Sequence, residues 1–256
     1  MSERIVFKTR RGLRIVGLLE RVNTDRIIIM AHGFTGDKDM CGKFIRAAAY
    51  LARRGFAVFR FDFAGSGESQ DTAISLFGQA DDLESAIDLV RSWGYTKIGL
   101  LGHSFGALTA IVTYSPYIRT MVLTAPVTEG RVQPMFDNLL FRSWIKLRGH
   151  ISLRMQRVFK ISKEALHERD LTRPNIILPP IRCPVLIIHG DKDTTVPLAH
   201  SQRAIKFLPK TAKIEIIPGA THEFNKGWRR TLKIGTAWFE KYLPKRRKKM
   251  PERKIF

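Results

Sequence analysis

A short apolar run, Thr96-Lys97-Ile98-Gly99-Leu100-Leu101, leads directly into Gly102-His103-Ser104-Phe105-Gly106, and Ala107-Leu108-Thr109-Ala110-Ile111-Val112 follows. The first segment reads as a strand and the last as a buried helix, so the Gly-x-Ser-x-Gly between them must turn the chain sharply. A serine on such a turn is lifted clear of the sheet with its hydroxyl exposed. Glycines two positions to either side leave room for backbones to approach. The helix that starts there aims N–H groups and a positive dipole end at the serine. An ordinary glycine-rich turn with a solvated serine has the same five-residue pattern, so the rest of the chain has to decide.

The rest of the chain alternates strands with helices. Ile5-Val6-Phe7 and residues 13–19 read as a hairpin around Arg11-Gly12. Arg26-Ile27-Ile28-Ile29-Met30-Ala31 is a continuous apolar run, as expected of a strand buried on both faces. It ends in the loop His32-Gly33-Phe34-Thr35-Gly36. A helix over residues 44–54 and a strand over 57–61 follow, then the polar loop Asp62-Phe63-Ala64-Gly65-Ser66-Gly67-Glu68-Ser69. Ala80, Leu83, Ala86, Ile87 and Val90 recur at helical spacing. Strands are expected at 119–125, 184–189 and 213–217, and helices at 198–207 and 227–242. This alternation predicts an α/β fold, with a mainly parallel sheet and helices on both faces. The core is assigned to residues 1–126 and 183–243. Residues 127–182 break the rhythm, and a connection that long is read as a helical lid at the carboxyl ends of the strands.

Composition narrows the function classes. Hydrophobic residues make up 44% of the chain, enough for a sizeable core. The start, Met1-Ser2-Glu3-Arg4-Ile5-Val6-Phe7-Lys8, has charges within its only apolar run and does not read as a signal peptide. No stretch approaches the roughly 20 apolar residues of a transmembrane helix. Cys41 and Cys183 stand far apart, so no disulfide framework is expected and a cytoplasmic location is the default. The net charge is +21, spread along the chain except for Lys245-Arg246-Arg247-Lys248-Lys249. Residues 244–256 are read as a disordered basic tail. Such a charge suits nucleic acid or an anionic membrane, or simply reflects a Lys/Arg-rich surface.

An unassisted serine hydroxyl is a weak nucleophile and needs a base, which in turn needs an orienting acid. In a sheet of this kind the partners follow in the order serine, acid, histidine. Gly190-Asp191-Lys192-Asp193-Thr194-Thr195-Val196-Pro197 follows one strand and Gly219-Ala220-Thr221-His222-Glu223-Phe224 the next. His222 is the candidate base and Asp193 its partner, with Asp191 read as a turn residue. His103 is expected to point into the core beneath the turn with its hydrogen bonds satisfied, His32 to shape its loop, and His189 to be structural. His150, His167 and His200 are expected at solvated positions. Asp62 is read as tying down its own loop. No histidine or cysteine cluster has metal-site spacing, so neither metal nor cofactor is expected.

With these motifs in place the chain resembles a serine α/β-hydrolase. It is most similar to the lidded carboxylesterases that include feruloyl (cinnamoyl) esterases and monoacylglycerol lipases. The resemblance rests on HGFTG, DFAGSGES, GHSFG, HGDKDTTVP and GATHEF. It implies Ser104 as nucleophile, His222 as base, Asp193 as acid, and an oxyanion hole made by the backbone N–H groups of Phe34 and Phe105. It implies hydrolysis of carboxylic esters through an acyl-enzyme. The alternatives are a thioesterase or acyltransferase, a peptidase, and a basic binding protein on a hydrolase scaffold. The lid segment 127–181 carries ten Lys/Arg against five Asp/Glu. Its Arg131, Arg142, Lys146 and Arg148, beside Met135, Phe136, Leu139, Leu140, Phe141 and Trp144, read either as an amphipathic lid with a solvated basic face or as an apolar acyl pocket for a substrate with an anionic group.

Overall fold

The computed structural model describes residues 2–130, 143, 150–154 and 158–245. Among them, eight strands form one sheet in the order β1-β2-β4-β3-β6-β7-β10-β11. These are β1 (Glu3–Lys8), β2 (Arg14–Glu20), β3 (Arg26–Ala31), β4 (Ala57–Phe61), β6 (Lys97–His103), β7 (Ile118–Thr124), β10 (Val185–Gly190) and β11 (Lys213–Ile217). The β1–β2 hairpin pairs antiparallel, and β2 pairs antiparallel to β4. From β4 to β11 every pairing is parallel.

The continuous apolar runs explain why this sheet is covered on both faces. Along β3, Ile27, Ile29 and Ala31 join one core while Ile28 and Met30 join the other. Along β10, Val185 and Ile187 go with the first set and Leu186 and Ile188 with the second. This is the period-two alternation of a strand whose two faces are both buried. The first core is closed by α2 (Leu76–Ser92), through Leu83, Ala86, Ile87 and Val90, and by Ala107, Ala110 and Ile111 of α3 (Phe105–Val112). The second is closed by Phe44, Ala47, Ala48 and Leu51 of α1 (Lys43–Arg53), together with Trp238 and Phe239 from the last helix (Trp228–Tyr242). At 25 cal/mol per Å², roughly 1.5–3 kcal/mol accompanies each fully buried side chain of this kind.

The connection from β3 to β4 runs through α1 on one face, and that from β4 to β6 through α2 on the other. The strand order therefore reverses at β3, between its neighbours β4 and β6. Open α/β sheets bind ligands beyond the carboxyl ends of the strands at such a switch point. The loops after β3, β6, β10 and β11 all leave from that edge.

The segment read as a helical lid departs from expectation. Its described part contains a hairpin, β8 (His150–Arg154) with β9 (Val158–Ser162), and two short helices, α4 (Glu164–Leu171) and α5 (Pro174–Ile177). β9 also pairs in parallel with the two-residue β5 (Ala73–Ile74), making a small second sheet. Ile151, Phe159 and Ile161 alternate with polar residues, a period of two that a helical reading of the segment overlooks. Buried Glu168 on α4 accepts the Leu76 N–H at 2.6 Å and the Phe77 N–H at 3.1 Å, satisfying free donors at the start of α2. Burial pushes this carboxyl up from its ordinary range, against the two N–H groups that favour its charge. Residues 131–142 and 144–149, with every lid side chain singled out for the acyl pocket and its cations, lie outside the described residues. So does most of the basic tail. Its start is tied down, with Lys97 Nζ donating to Pro244 O at 2.9 Å and buried Arg26 donating to Leu243 O at 2.9 Å. No helix among the described residues is long and apolar enough to cross a membrane.

Candidate active site

Ser104 is where β6 turns into α3, and it holds φ 54° and ψ −118°. A non-glycine residue with positive φ is strained and persists only where its surroundings fix it. Ser104 N–H donates to Thr124 O at 2.9 Å, and Ser104 O accepts from Ala107 N at 3.1 Å. Gly102 and Gly106 are required by close approach. A Cβ on Gly102 would stand 2.6 Å from Ala107 Cα, and one on Gly106 would stand 2.3 Å from both Ala31 O and His32 O. Gly106→Ala forces apart the start of α3 and the end of β3. It should cost at least about 1–3 kcal/mol and lower Tm by roughly 3–10 °C. Thermal unfolding followed by circular dichroism checks this.

Three sequence-distant groups meet at this turn. His222 Nε2 lies 2.9 Å from Ser104 Oγ, and His222 Nδ1 lies 2.8 Å from Asp193 Oδ2. A carboxylate only accepts, so His222 Nδ1 carries the proton and Nε2 is left to accept from the serine hydroxyl. Asp193 comes from the loop after β10 and His222 from the loop after β11. Phe224, fully buried, anchors the second loop in the core. The other Asp193 oxygen accepts from Thr195 N at 2.9 Å and Val196 N at 2.8 Å. Burial opposes the charge on Asp193. The hydrogen bonds from His189, His222 and the Val196 N–H outweigh it and hold the carboxyl well below its usual range.

His189 does more than the structural role expected of it. Its Nε2 lies 2.8 Å from Val196 O and 3.2 Å from Asp193 Oδ2, while Nδ1 lies 2.7 Å from Ser201 Oγ. Val196 O can only accept, so Nε2 donates, shared with the carboxylate. Asp193 is thus held between two imidazoles. The i, i+4 spacing of His189 and Asp193 is visible in HGDKD, although spacing alone does not show which strand end brings them together. Asp191 is exposed and accepts the Gly219 N–H at 2.6 Å, joining the two loops as a turn residue.

The loop after β3 closes the site from the other side. A Cβ on Gly33 would lie 3.3 Å from Ser104 Cβ. Phe34 and Phe105 meet edge-on with ring centroids 5.9 Å apart. Phe105 is the first residue of α3, so its N–H has no partner within the helix. His32 is buried, with Nδ1 donating to Gly33 O at 2.8 Å and Nε2 accepting from Phe63 N at 3.1 Å. Burial lowers its pKa, so it shapes the loop as a neutral ring. Asp62 also reaches beyond its own loop. It accepts from Lys38 N at 2.6 Å and Lys38 Nζ at 2.9 Å as well as from Glu68 N at 2.9 Å.

The remaining histidines divide. His150 and His167 are exposed as expected, whereas His200 is buried beneath α6 (Leu198–Ala204), with Nε2 3.8 Å from a Glu129 oxygen. Position on an amphipathic helix explains the difference: Ser201 and Ala204 of the same helix also face inward. His103 is buried as expected, with Nδ1 3.1 Å from Thr124 Oγ1, but its Nε2 has no hydrogen-bond partner. Cys41 and Cys183 are both free.

Comparison with known proteins bears on the fold and the family. The chain is 29% identical to the human serine hydrolase BPHL over 215 residues, covering 69% of each protein. It is 44% identical to a putative non-heme chloroperoxidase of Synechocystis over an alignment of 252 positions, covering 80% of this chain and 88% of the relative. Its fold matches that of Est1E from Butyrivibrio proteoclasticus, solved with ferulic acid bound, with TM-score 0.77 and 20% identity over 94% of this chain and all of the other. Residues 22–175 match the family Hydrolase_4, described as serine aminopeptidase S33. With more than half of its length matched, the chain belongs to this family and is a serine hydrolase of the α/β superfamily.

Proposed function

We propose that the protein hydrolyses carboxylic esters through an acyl-enzyme, with Ser104 as nucleophile, His222 as general base and Asp193 as the acid that orients it. The carrying observation is the unbroken line of contacts, 2.9 Å from Ser104 Oγ to His222 and 2.8 Å from His222 to Asp193. In the first step Ser104 Oγ bonds to the ester carbonyl carbon as its proton passes to His222 Nε2. Asp193 stays ionised and stabilises the imidazolium. The former carbonyl oxygen becomes an oxyanion facing the N–H groups of Phe34 and Phe105. Loss of one such donor typically costs roughly 10²–10³-fold in rate. His222 then protonates the leaving alcohol, and water repeats the sequence to release the acid.

The segment 127–182 is the proposed lid, bound to the core where Glu168 meets α2. Ferulic acid in the Est1E structure supports an aromatic acyl group as one substrate class. A second reading, cleavage of an amide beside a free amino terminus, is favoured by the description of the matched family. The same three residues serve it, but it needs a carboxylate for the ammonium group. Cinnamoyl and p-nitrophenyl esters, an anionic ester of the same acid, a thioester and an aminoacyl p-nitroanilide separate these readings. The expected result is kcat/KM at least tenfold higher on the esters than on the thioester or anilide. A higher value on the anilide would replace the esterase by the peptidase.

A further inference from the structure

We propose that His103, His222 and Glu223 form an inhibitory site for a divalent transition-metal ion of the zinc class, which switches the enzyme off by occupying His222. One donor atom from each of the three lies within 4.8 Å of those from the other two. No metal is needed for the reaction described above, and the three residues come from the end of β6 and the loop after β11, so neither spacing nor motif points to them together.

The strongest element is His103. Its ring is 3% exposed, and Nε2 is buried without a hydrogen-bond partner. Thr124 Oγ1 donates to Gly102 O at 3.2 Å, so that hydroxyl accepts from His103 Nδ1, which must carry the proton. A neutral imidazole with Nδ1–H committed presents a lone pair at Nε2. A hydroxyl on the other ring nitrogen is the outer support that metal-bound histidines commonly have. An unpartnered buried polar nitrogen is costly to leave so, and is uncommon in folded proteins.

That lone pair faces the other two donors. Nε2 of His103 is 4.0 Å from Glu223 Oε1, and the His103 and His222 ring centroids are 5.0 Å apart. Donor atoms around one tetrahedral zinc ion stand roughly 3.3 Å apart. On that criterion the His103–Glu223 pair must close by about 0.7 Å and the widest pair by at most about 1.5 Å, and the Glu223 side chain is 53% exposed and able to rotate. Its Oε2 is engaged by Lys43 Nζ at 3.2 Å, which leaves Oε1 for the ion. Two imidazoles with one carboxylate suit zinc and its neighbours rather than magnesium or calcium. In this site His222 would bind through Nε2, the nitrogen that bears its lone pair and faces Ser104, because Nδ1 is committed to Asp193 at 2.8 Å. An ion on it displaces the serine proton from its acceptor, and a fourth position remains open to water.

Binding does not depend on the esterase reading; only the inhibition does, and the two are measured separately. Equilibrium dialysis of metal-stripped Ser104→Ala protein against Zn²⁺ should give one ion per chain. Glu223→Gln, introduced into the same protein, should weaken binding at least tenfold, and so should His103→Asn. In the enzyme with Ser104 present, the same Zn²⁺ concentration should halve ester hydrolysis, with full recovery on adding EDTA. Glu223→Gln should leave metal-free kcat/KM within about twofold and raise the half-inhibiting concentration at least tenfold. Absence of stoichiometric binding, or equal binding by the Glu223→Gln protein, overturns the proposal, even if His103→Asn fails to fold. Stoichiometric binding that leaves ester hydrolysis untouched also overturns it, since the ion would then not be on His222. A chain without hydrolase activity leaves the dialysis result to decide the site.

Discussion

Ser104→Ala and His222→Ala will each lower kcat on a p-nitrophenyl ester by roughly 10⁴–10⁶-fold. This corresponds to about 5–8 kcal/mol of lost transition-state stabilisation. The two losses should be similar and should not add in the double variant, because an alanine at either position leaves the other group nothing to work with. Ser104 without a base keeps its proton. His222 without the serine holds a proton acceptor, 2.9 Å from where Oγ was, that serves no nucleophile. The residual rate comes from the oxyanion donors and from binding. KM should move little, since neither group grips the ground state. Steady-state kinetics on the three variants checks the magnitude and the non-additivity.

Asp193→Asn should cost roughly 10⁴-fold in kcat, whereas Asp191→Asn should stay within a few-fold. The amide can keep the hydrogen bonds from Thr195 and Val196 while presenting NH₂ to His222 Nδ1, which forces the proton onto Nε2 and leaves no acceptor for Ser104. Here the amide faces a second donor as well, because His189 Nε2 lies 3.2 Å from the same oxygen. His189→Gln tests that contribution in a smaller way, since it removes one of several hydrogen bonds to the carboxylate. The Asp191 side chain accepts from the backbone of the neighbouring loop at Gly219. Equal losses for Asp191→Asn and Asp193→Asn would mean that loop geometry, not the acid, sets the rate.

The fold was legible wherever burial is two-sided. Apolar runs such as 26–31 and 184–189 leave a strand no polar face, and the helix over 76–92 advertises itself by period. The insertion was less legible because its strands are short and its β5 partner has only two residues. Pairing of that kind depends on distant contacts, and the local sequence around 150–162 carries only a weak alternation. Within the site, Ser104, Asp193 and His222 stand in motifs where backbone turns demand particular residues, which is why spacing sufficed to find them. His189 and the unpartnered His103 Nε2 are different. Their surroundings are set by Val196, Ser201 and Thr124, residues whose type gives no hint: the register of β6 and β7 brings Thr124 to His103, and the loop after β10 and α6 bring Val196 and Ser201 to His189. His200 was placed in solvent for the same reason, since a lone polar residue on a short helix does not reveal which face turns inward.

In the proposed mechanism everything turns on Ser104 being a nucleophile activated by His222. Labelling with a fluorophosphonate probe, followed by peptide mapping, tests it most directly. Such a reagent phosphonylates serine only where a base removes the hydroxyl proton and donors stabilise the resulting oxyanion. One label per chain is expected on the peptide containing Ser104, lost in Ser104→Ala and slowed by several orders of magnitude in His222→Ala. Labelling of another residue, or undiminished labelling in Ser104→Ala, would contradict the mechanism.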